Sequence, residues 1–511
     1  MNSTLFTRSP IRCLSALLTL VFAFTASPRQ IQAQADPIYD SAVYLINSTQ
    51  ILDRRGEFSV LLRSLRQLQD PELAPLFREL LLAEHRIMRI HGILGLAEID
   101  PAKQVDLKLL ADVKDPAMQS ELVGAALDSE LLSVANAKQL LGWTTMELDA
   151  KVVIATHLLE KKEFNDAAML KLANDTPNMA RKGIVALLLT QLGDPAAPAM
   201  MEAIDKSTDS ARDDVRSLML QTAFRFKFER IAPWAARVSN EAGVKDSLGL
   251  LALRTAIRFG DKEALSSCIK RFNTVTDDAD RMRLAVSLLN LAQYLEPAAF
   301  DALVASSDPL IKQMGMAGKA VAAKKGVAAE VAKLIAMQYP VANGWALGYA
   351  NFHATPEDAR AIYSELVLGY EKAPARNRPQ RLDEAMAATQ FLGEKDLVGA
   401  TQVLKPILTR EGTDKQLLQG ILVGLIRALK GEPHKVVLDI TKPFEDINAN
   451  ALRLLLLAKH NVPLNAQQLK DLGLLVRGGG SLPEAIRIQA AWLYLKQTKQ
   501  TTKALEQALK K

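Results

Sequence analysis

Arginine recurs along the chain in a register of about 33 residues, at places where it could make charge-assisted hydrogen bonds. The six sharpest copies are Arg181, Arg216, Arg283, Arg381, Arg453 and Arg487. Four of them have an acidic or hydroxyl side chain six residues upstream, and three of these side chains, Asp175, Ser210 and Asp277, are candidate members of a structural ladder. A planar guanidinium can bond such a side chain, or bond two neighbouring repeats at once. The pattern therefore favours an internal structural ladder, with a ligand-binding ridge as the alternative.

The sequence contains no ordinary catalytic or metal-binding motif. His157 and Glu160 stand three residues apart and could touch a metal, but no third ligand lies nearby in the sequence. Residues 478–481 lack the lysine of a phosphate-binding loop and the last glycine of a nucleophile elbow, so they predict a loop between helices. We therefore expect no catalytic residue, no metal and no cofactor, and we predict that the protein is not an enzyme.

The elements that position these residues are predicted to be short helices throughout. Apolar residues recur at three- and four-residue spacing, as in Leu284, Leu288, Leu291 and Leu295, which is the period of an amphipathic helix. Pairs such as Asp-Pro and Gly-Asp punctuate the pattern, because Asp caps a helix and Pro fits its first turn. Alternating runs typical of β-strands are absent. The sequence predicts an all-α protein.

The repeated unit resembles HEAT repeats, in particular the bacterial kind related to bilin-lyase-type helical repeats. Residues 192–204 are similar to the family's exit turn and following first helix, and residues 70–81 look like another copy. Each repeat of this kind is a helical hairpin that buries its apolar face only against its neighbours. The resemblance implies an α-solenoid, or superhelix, of about fourteen stacked helical hairpins.

The register stretches around Arg381, which predicts an internal boundary. Residues 371–380 contain two prolines and two arginines before that position and read as an exposed loop. We expect an amino-terminal HEAT-like array over residues 36–370, this Pro/Arg-containing loop at 371–380, and carboxy-terminal HEAT-like repeats over residues 381–511.

Residues 1–35 have the pattern of a secretory signal peptide. Arg8 and Arg12 precede a mostly apolar run over residues 14–26, which is short for a membrane span. Ala33 and Ala35 supply small side chains at positions −3 and −1 of a cleavage site. We predict cleavage after Ala35 and a secreted or periplasmic protein; an uncleaved anchor is the alternative. Cys268 is then the only cysteine left, and its helical surroundings favour a small core residue over a reactive thiol.

Composition fits a packed protein and limits its partners. Of 511 residues, 49% are hydrophobic and 23% charged, which excludes wholesale disorder, and the 5% of aromatic residues suits close packing of small side chains between helices. Residues 1–35 hold three arginines and no acid, so the net charge of +6 falls to +3 without them. That balance gives no reason to expect a nucleic acid partner. No later run is long enough to span a membrane, so we expect no transmembrane segment in the mature chain.

These features predict a protein-binding scaffold that uses an extended helical-repeat surface, although they do not identify the protein partner. This expectation rests partly on the fold that the resemblance implies. Two alternatives remain open: an envelope-associated hydrolase with a helical superstructure, and a binder of a cell-envelope polymer. An anionic polymer held by the repeated arginines is the less favoured of the possible partners.

Overall fold

The computed structural model describes residues 36–53, 59–243, 246–428, 443–478 and 482–509. Across these ranges the chain forms α-helices and short 3₁₀-helices, and it contains no β-strand. The all-α class predicted from the apolar periodicity is confirmed. The predicted signal peptide lies outside the described residues, and its cleavage stays a prediction.

Fourteen α-helices lie in the described residues between positions 36 and 258. They are α1 Pro37–Asp53, α2 Ser59–Arg66, α3 Ala74–Leu81, α4 Arg86–Ile99, α5 Leu107–Ala111, α6 Pro116–Asp128, α7 Val134–Leu141, α8 Leu148–Glu160, α9 Ala167–Ala173, α10 Met179–Leu192, α11 Ala197–Asp205, α12 Arg212–Phe226, α13 Ala232–Ala242 and α14 Ser247–Arg258.

Fourteen more follow in the described part of the chain up to residue 509. They are α15 Lys262–Thr274, α16 Asp278–Leu289, α17 Asp301–Val304, α18 Pro309–Ala323, α19 Val327–Ala336, α20 Pro340–Phe352, α21 Pro356–Lys372, α22 Arg378–Lys395, α23 Leu397–Leu408, α24 Lys415–Ala428, α25 Ile447–Lys459, α26 Ala466–Arg477, α27 Glu484–Gln497 and α28 Thr501–Leu509. The 3₁₀-helices are Pro71–Leu73, Glu229–Ile231, Ala292–Tyr294, Pro297–Phe300 and Ala375–Asn377.

Helix starts follow the capping chemistry that the sequence predicts. The Asp308 carboxylate accepts from the backbone N–H of Leu310 at 2.8 Å and of Ile311 at 3.0 Å, and Pro309 fills the first turn of α18. Asp261, the second member of a Gly-Asp pair, accepts from the Ala264 N–H at 2.8 Å and caps α15. Each cap satisfies helix N–H groups that have no intrahelical partner and contributes about 1 kcal/mol.

One series of helices forms a continuous row, which we call the long row: α2, α4, α6, α8, α10, α12, α14, α16, α18, α20, α22, α24, α25 and α27. From α2 to α18 each member contacts the next member of the row. Helix α20 joins through α16 and α22, and contacts then continue through α24, α25 and α27. Most of the intervening helices pack against one or two members of the row, as α3 does on α4 and α13 on α14.

The two ends of the described chain are in contact. Helix α27, the last of the long row, packs against α2, the first, and α1 packs against α26, α27 and α28. The Tyr39 hydroxyl donates to Gln507 Oε1 at 2.9 Å, and Gln489 Nε2 donates to the Ser64 carbonyl at 2.9 Å. The succession of helix contacts in the long row therefore returns to its starting point.

Glycine residues let side chains from neighbouring elements approach the long-row helices closely. The Phe77 side chain of α3 lies over Gly95 of α4, where an added Cβ atom would stand 2.7 Å from the ring. Phe300 covers Gly318 of α18 in the same way, at 2.3 Å from the position of such a Cβ. Both aromatic rings are fully buried. In both contacts the missing side chain of glycine lets a ring pack directly on a helix backbone.

The segment at residues 371–380 is mostly helical. Helix α21 ends at Lys372 and α22 begins at Arg378, so only residues 373–377 separate them. Pro379 occupies the first turn of α22, where its missing N–H removes no hydrogen bond, and this is why a proline-containing stretch continues a helix here. Helices α21 and α22 also pack against each other. The division of the chain at this point stays a prediction.

Candidate functional site

The six predicted arginines all lie within the first two turns of long-row helices. They are Arg181 in α10, Arg216 in α12, Arg283 in α16, Arg381 in α22, Arg453 in α25 and Arg487 in α27. Their recurrence therefore reflects similar places near the start of several members of one row. Whether they act as a structural ladder depends on what each guanidinium contacts.

The upstream residues do not pair with these arginines. Asp277 caps α16 by accepting from the Asp280 N–H at 2.8 Å, but no hydrogen bond joins it to Arg283. Asp175 and Ser210 precede the caps, which are Asn178 for α10 and Ala211 for α12. Six helical residues turn through about 240°, so a cap and an arginine at that spacing face different directions.

Most of the arginines bond a side chain three residues away, which shares a helix face with them. Arg283 Nη1 donates to Asp280 Oδ1 at 2.7 Å, and Arg381 Nη1 donates to Glu384 Oε2 at 2.7 Å. The other two pairs of this kind are Arg453–Asn450 at 3.1 Å and Arg487–Glu484 at 2.9 Å.

Four arginines also reach a second helix. Arg381 Nη2 donates to the Ile335 carbonyl near the end of α19 at 3.1 Å. Arg487 Nη2 donates to the Val476 carbonyl near the end of α26 at 3.2 Å. Arg181 bonds Asp149 of α8, and Arg216 bonds Asp205 of α11. Carbonyls in the last turn of a helix lack intrahelical partners, so such bonds satisfy them while they tie helices together.

Arg216 lines a cleft of about 1050 Å³ that is formed by residues of α10, α11, α12 and α13. Its Nη2 donates to Asp205 Oδ1 at 2.8 Å, and the buried Trp234 indole N–H donates to Asp205 Oδ2 at 3.0 Å. Glu241 accepts from the same guanidinium at 3.1 Å. Because these groups satisfy one another, the cleft presents mainly paired charges to solvent.

A second feature is an aromatic–basic stripe formed by Phe224, Lys227, Arg258, Tyr294, Phe352, His353 and Lys395. The Arg258 guanidinium lies 4.0 Å from the ring centroid of Phe224 and 4.7 Å from that of Tyr294. Tyr294 and His353 meet edge to face at 5.8 Å, and Lys395 Nζ lies 5.8 Å from the Phe352 ring. Five elements contribute: α12, α14, α20, α22 and the 3₁₀-helix Ala292–Tyr294.

The stripe has a positive electrostatic environment. Burial lowers the pKa of His353, and the positive charges of Arg258, Lys395 and Lys227 lower it further, so its imidazole is neutral at neutral pH. Burial also lowers the pKa of Arg258, whose guanidinium stays charged. Cations held beside ring faces in this way are attracted by the π-electron quadrupole, more strongly where solvent is partly excluded.

Cys268 and the His157–Glu160 pair are the other described side chains that the sequence singled out for their chemistry. Burial raises the pKa of the Cys268 thiol to about 12, and the side chain is 0% exposed, so the thiol is protonated at neutral pH. Burial lowers the pKa of His157, and the opposing influence of Glu160 is smaller. Among the described residues no three His, Cys, Asp or Glu side chains come close enough to hold a metal ion. None of the described helices is long and apolar enough to cross a membrane.

Sequence reasoning did not find the stripe. A local signal was present, since aromatic and basic residues alternate from Phe224 to Phe228 and Phe352 adjoins His353 at the end of α20. These segments are more than a hundred residues apart, however, and only the packing of the row brings them together.

Comparison of the chain with protein-family models, with curated proteins and with solved structures finds no match.

Proposed function

We propose that the protein is a closed α-solenoid of about fourteen HEAT-like repeats that acts outside the cytoplasm as a protein-binding scaffold. Its binding surface is the side of the long row on which the helix ends converge. The contact between α27 and α2 carries this proposal, since it joins the last helix of the row to the first. A closed row holds its helices at fixed positions, and a binding surface ordered in advance loses less entropy when a partner docks.

Contacts across several members of the long row support strong curvature. Arg225 Nη2 at the end of α12 bonds Asp128 Oδ1 at the end of α6, at 2.5 Å. Packed helices lie about 8–10 Å apart, so three steps along a straight row would separate these ends by about 25–30 Å. Lys227 of α12 also comes within 3.9 Å of Glu160 of α8. The carboxy-terminal ends of these helices thus converge on a concave side, where an extended partner could touch several repeats.

The contacts of the repeated arginines favour a structural ladder over a ligand-binding ridge. Arg381 is almost completely buried and bonds both Glu384 and the Ile335 carbonyl. A guanidinium held on both sides in this way ties α22 to α19 and has little capacity left for a ligand. Arg283 is the most exposed of the six and remains the best probe for a ligand-binding role.

Cross-linking the purified protein to the envelope fraction of its native cells tests the proposal. We expect a protein partner whose cross-links fall on long-row helices and which excess free chain displaces. Retention of an envelope polysaccharide, with no protein cross-linked to the row, would replace this function with polymer binding. Turnover of envelope polymer by the purified protein would instead support the hydrolase alternative.

A further inference from the structure

The stripe combines cations that lack a close acidic partner with exposed aromatic rings. No described carboxylate lies within ion-pair distance of Arg258 or Lys395, and Lys227 reaches Glu160 only at 3.9 Å. Arg258 uses one N–H to donate to the Phe224 carbonyl at 2.6 Å. Arg225, one helix position away from Phe224, is by contrast paired with Asp128. The stripe therefore has positive charge left for another molecule.

Large apolar surface lies beside these free cations. Phe352 is 76% exposed and Tyr294 is 40% exposed, and both rings border His353. Phe352 therefore buries little of its ring within the described chain. Exposed aromatic rings next to arginine are typical of the residues that dominate protein–protein binding.

The composition of the stripe selects among negatively charged partners. A polysaccharide brings many hydroxyl groups that each need a donor or an acceptor when they are desolvated. Of the polar side chains here, Gln293 already contacts His353 Nε2 through its Nε2 atom, at 3.4 Å. A nucleic acid would need many more cations along its backbone than these three. A carboxylate can form a bidentate pair with the edge of a guanidinium, through two parallel hydrogen bonds. An aromatic side chain can stack on the exposed face of Phe352.

We propose that the aromatic–basic stripe binds an acidic segment of a partner protein, with an aromatic side chain among its carboxylates. This rests on the proposed function as a protein-binding scaffold and gives its partner a chemistry. The carboxylates pair with Arg258 and Lys395, and the aromatic side chain packs on Phe352 and Tyr294.

Three polymers matched in their number of carboxylates test the proposal by fluorescence anisotropy at one salt concentration. They are a random copolymer of glutamate and tyrosine, poly-glutamate, and alginate as a carboxylated polysaccharide. We expect the copolymer to bind about three- to tenfold more tightly than poly-glutamate, because stacking adds to charge pairing. Equal binding of the two polypeptides would overturn the aromatic part, and tighter binding of alginate would make the partner a polysaccharide.

Surface variants separate the contribution of aromatic stacking from that of charge pairing without disturbing the core. Phe352→Ala should abolish the advantage of the copolymer over poly-glutamate. Lys395→Gln should weaken both polypeptides by about fivefold, with a smaller dependence on salt. Tyr44→Ala removes a ring that is 71% exposed and lies outside the stripe, and Lys206→Gln removes an exposed charge elsewhere. Unchanged binding is expected for both controls, and a loss in Tyr44→Ala equal to that in Phe352→Ala would overturn the proposal.

Cross-linking of the native partner to the wild type and to the variants distinguishes binding at the stripe from the broader scaffold function. If a protein cross-links to the long row in the wild type and equally in the Phe352→Ala and Lys395→Gln variants, the scaffold function stands and the stripe is not its site. If no protein cross-links at all, the scaffold function itself fails.

Discussion

The indole N–H of Trp492 donates to Asp70 Oδ2 at 3.0 Å, across 422 residues of chain. Both side chains are buried, and Lys496 Nζ reaches the same oxygen at 2.7 Å. Asp70 also caps the 3₁₀-helix Pro71–Leu73 by accepting from the Glu72 N–H. One carboxylate thus fixes a turn of the amino-terminal region and holds the carboxy-terminal helix α27 against it. Asp70 thus forms a polar link between the two ends of the described chain.

Asp70→Ala should open the contact between the two ends. The substitution leaves the Trp492 N–H and the Lys496 ammonium without their buried acceptor, which costs about 3 kcal/mol. In hydrogen exchange, we expect faster exchange in α1, α2 and α27 together, with α10 and α12 little changed. Asp301→Ala is the matched control, because Asp301 pairs with Lys319 at the surface and should contribute no more than about 1 kcal/mol. Exchange that rises uniformly along the chain would contradict a local closing role for Asp70.

Gly318→Ala should destabilise the protein, since the new Cβ atom would lie 2.3 Å from the buried ring of Phe300. Overpacking of this kind costs about 1–3 kcal/mol. The matched control is Gly344→Ala in α20, where nothing lies within 4 Å of the new Cβ and alanine favours the helix by about 0.5–1 kcal/mol. The thermal unfolding temperature should therefore fall for Gly318→Ala and rise for Gly344→Ala. A shift in the same direction for both variants would show that the approach of Phe300 does not limit the size of the side chain at position 318.

Much of the helical framework was predictable because its signals are local. Asp308 and Pro309 mark the start of α18 directly, and the spacing of the repeated arginines places each of them near the start of a long-row helix. The arginine partners were predicted less well, because several donors and acceptors compete within one turn. Arg283 turns to Asp280 rather than to Asp277, which is occupied in capping.

The contact between Asp70 and Trp492 and the aromatic–basic stripe could not be predicted from the sequence, because their residues lie far apart in the chain. Asp70 and Trp492 lie far apart in the chain, and nothing in either local pattern indicates the other. Arg258 and Phe352 likewise belong to one stripe only because α14, α16 and α20 pack in succession. The way in which successive helices pack depends on small differences in packing angle, which a pattern of apolar residues does not specify.

The Cys268 thiol should make the stability of the protein fall at alkaline pH. Burial raises its pKa from 9.0 to about 12, so the thiol ionises earlier in the unfolded chain than in the folded one. Its contribution to stability is full below pH 9 and is lost as the pH rises toward 12, by about 1.4 kcal/mol per pH unit. In denaturant unfolding, the stability of the wild type relative to Cys268→Ala should decline over this range. A constant difference between pH 8 and 11 would show that the thiol is not protected from ionisation.

Cleavage of the signal peptide should place Asp36 at the amino terminus. The Tyr494 hydroxyl donates to Asp36 Oδ2 at 2.7 Å, so the residue after the predicted cut is held against α27. Sequencing of the protein exported by its native cells should begin at Asp36. A product that retains the apolar run over residues 14–26 would favour the uncleaved anchor, and replacing Ala33 and Ala35 with large side chains should block processing.

The repeated arginines should differ in their contribution to stability according to burial. The Arg381 side chain is 3% exposed, and Arg381→Ala leaves the buried Glu384 carboxylate without its cation, which costs about 3–5 kcal/mol. The Arg283 side chain is 47% exposed, although its partner Asp280 is 4% exposed, so Arg283→Ala should lower stability by less than Arg381→Ala does. The matched control is Lys206→Ala, whose ion pair with Glu202 is exposed on both sides and should not affect thermal unfolding.

The same three variants distinguish a structural ladder from a ligand-binding ridge. A ladder predicts that unfolding temperatures follow burial, with Arg381→Ala lowest, while binding of an anionic polymer stays unchanged in Arg283→Ala. A ridge predicts that Arg283→Ala keeps the unfolding temperature of the parent protein but loses binding to the polymer. An exposed guanidinium that binds a ligand adds little to the stability of the folded chain. If Arg283→Ala unfolds like the parent protein and loses binding to the polymer, the ladder is wrong at that position and the arginines of the long row are binding residues.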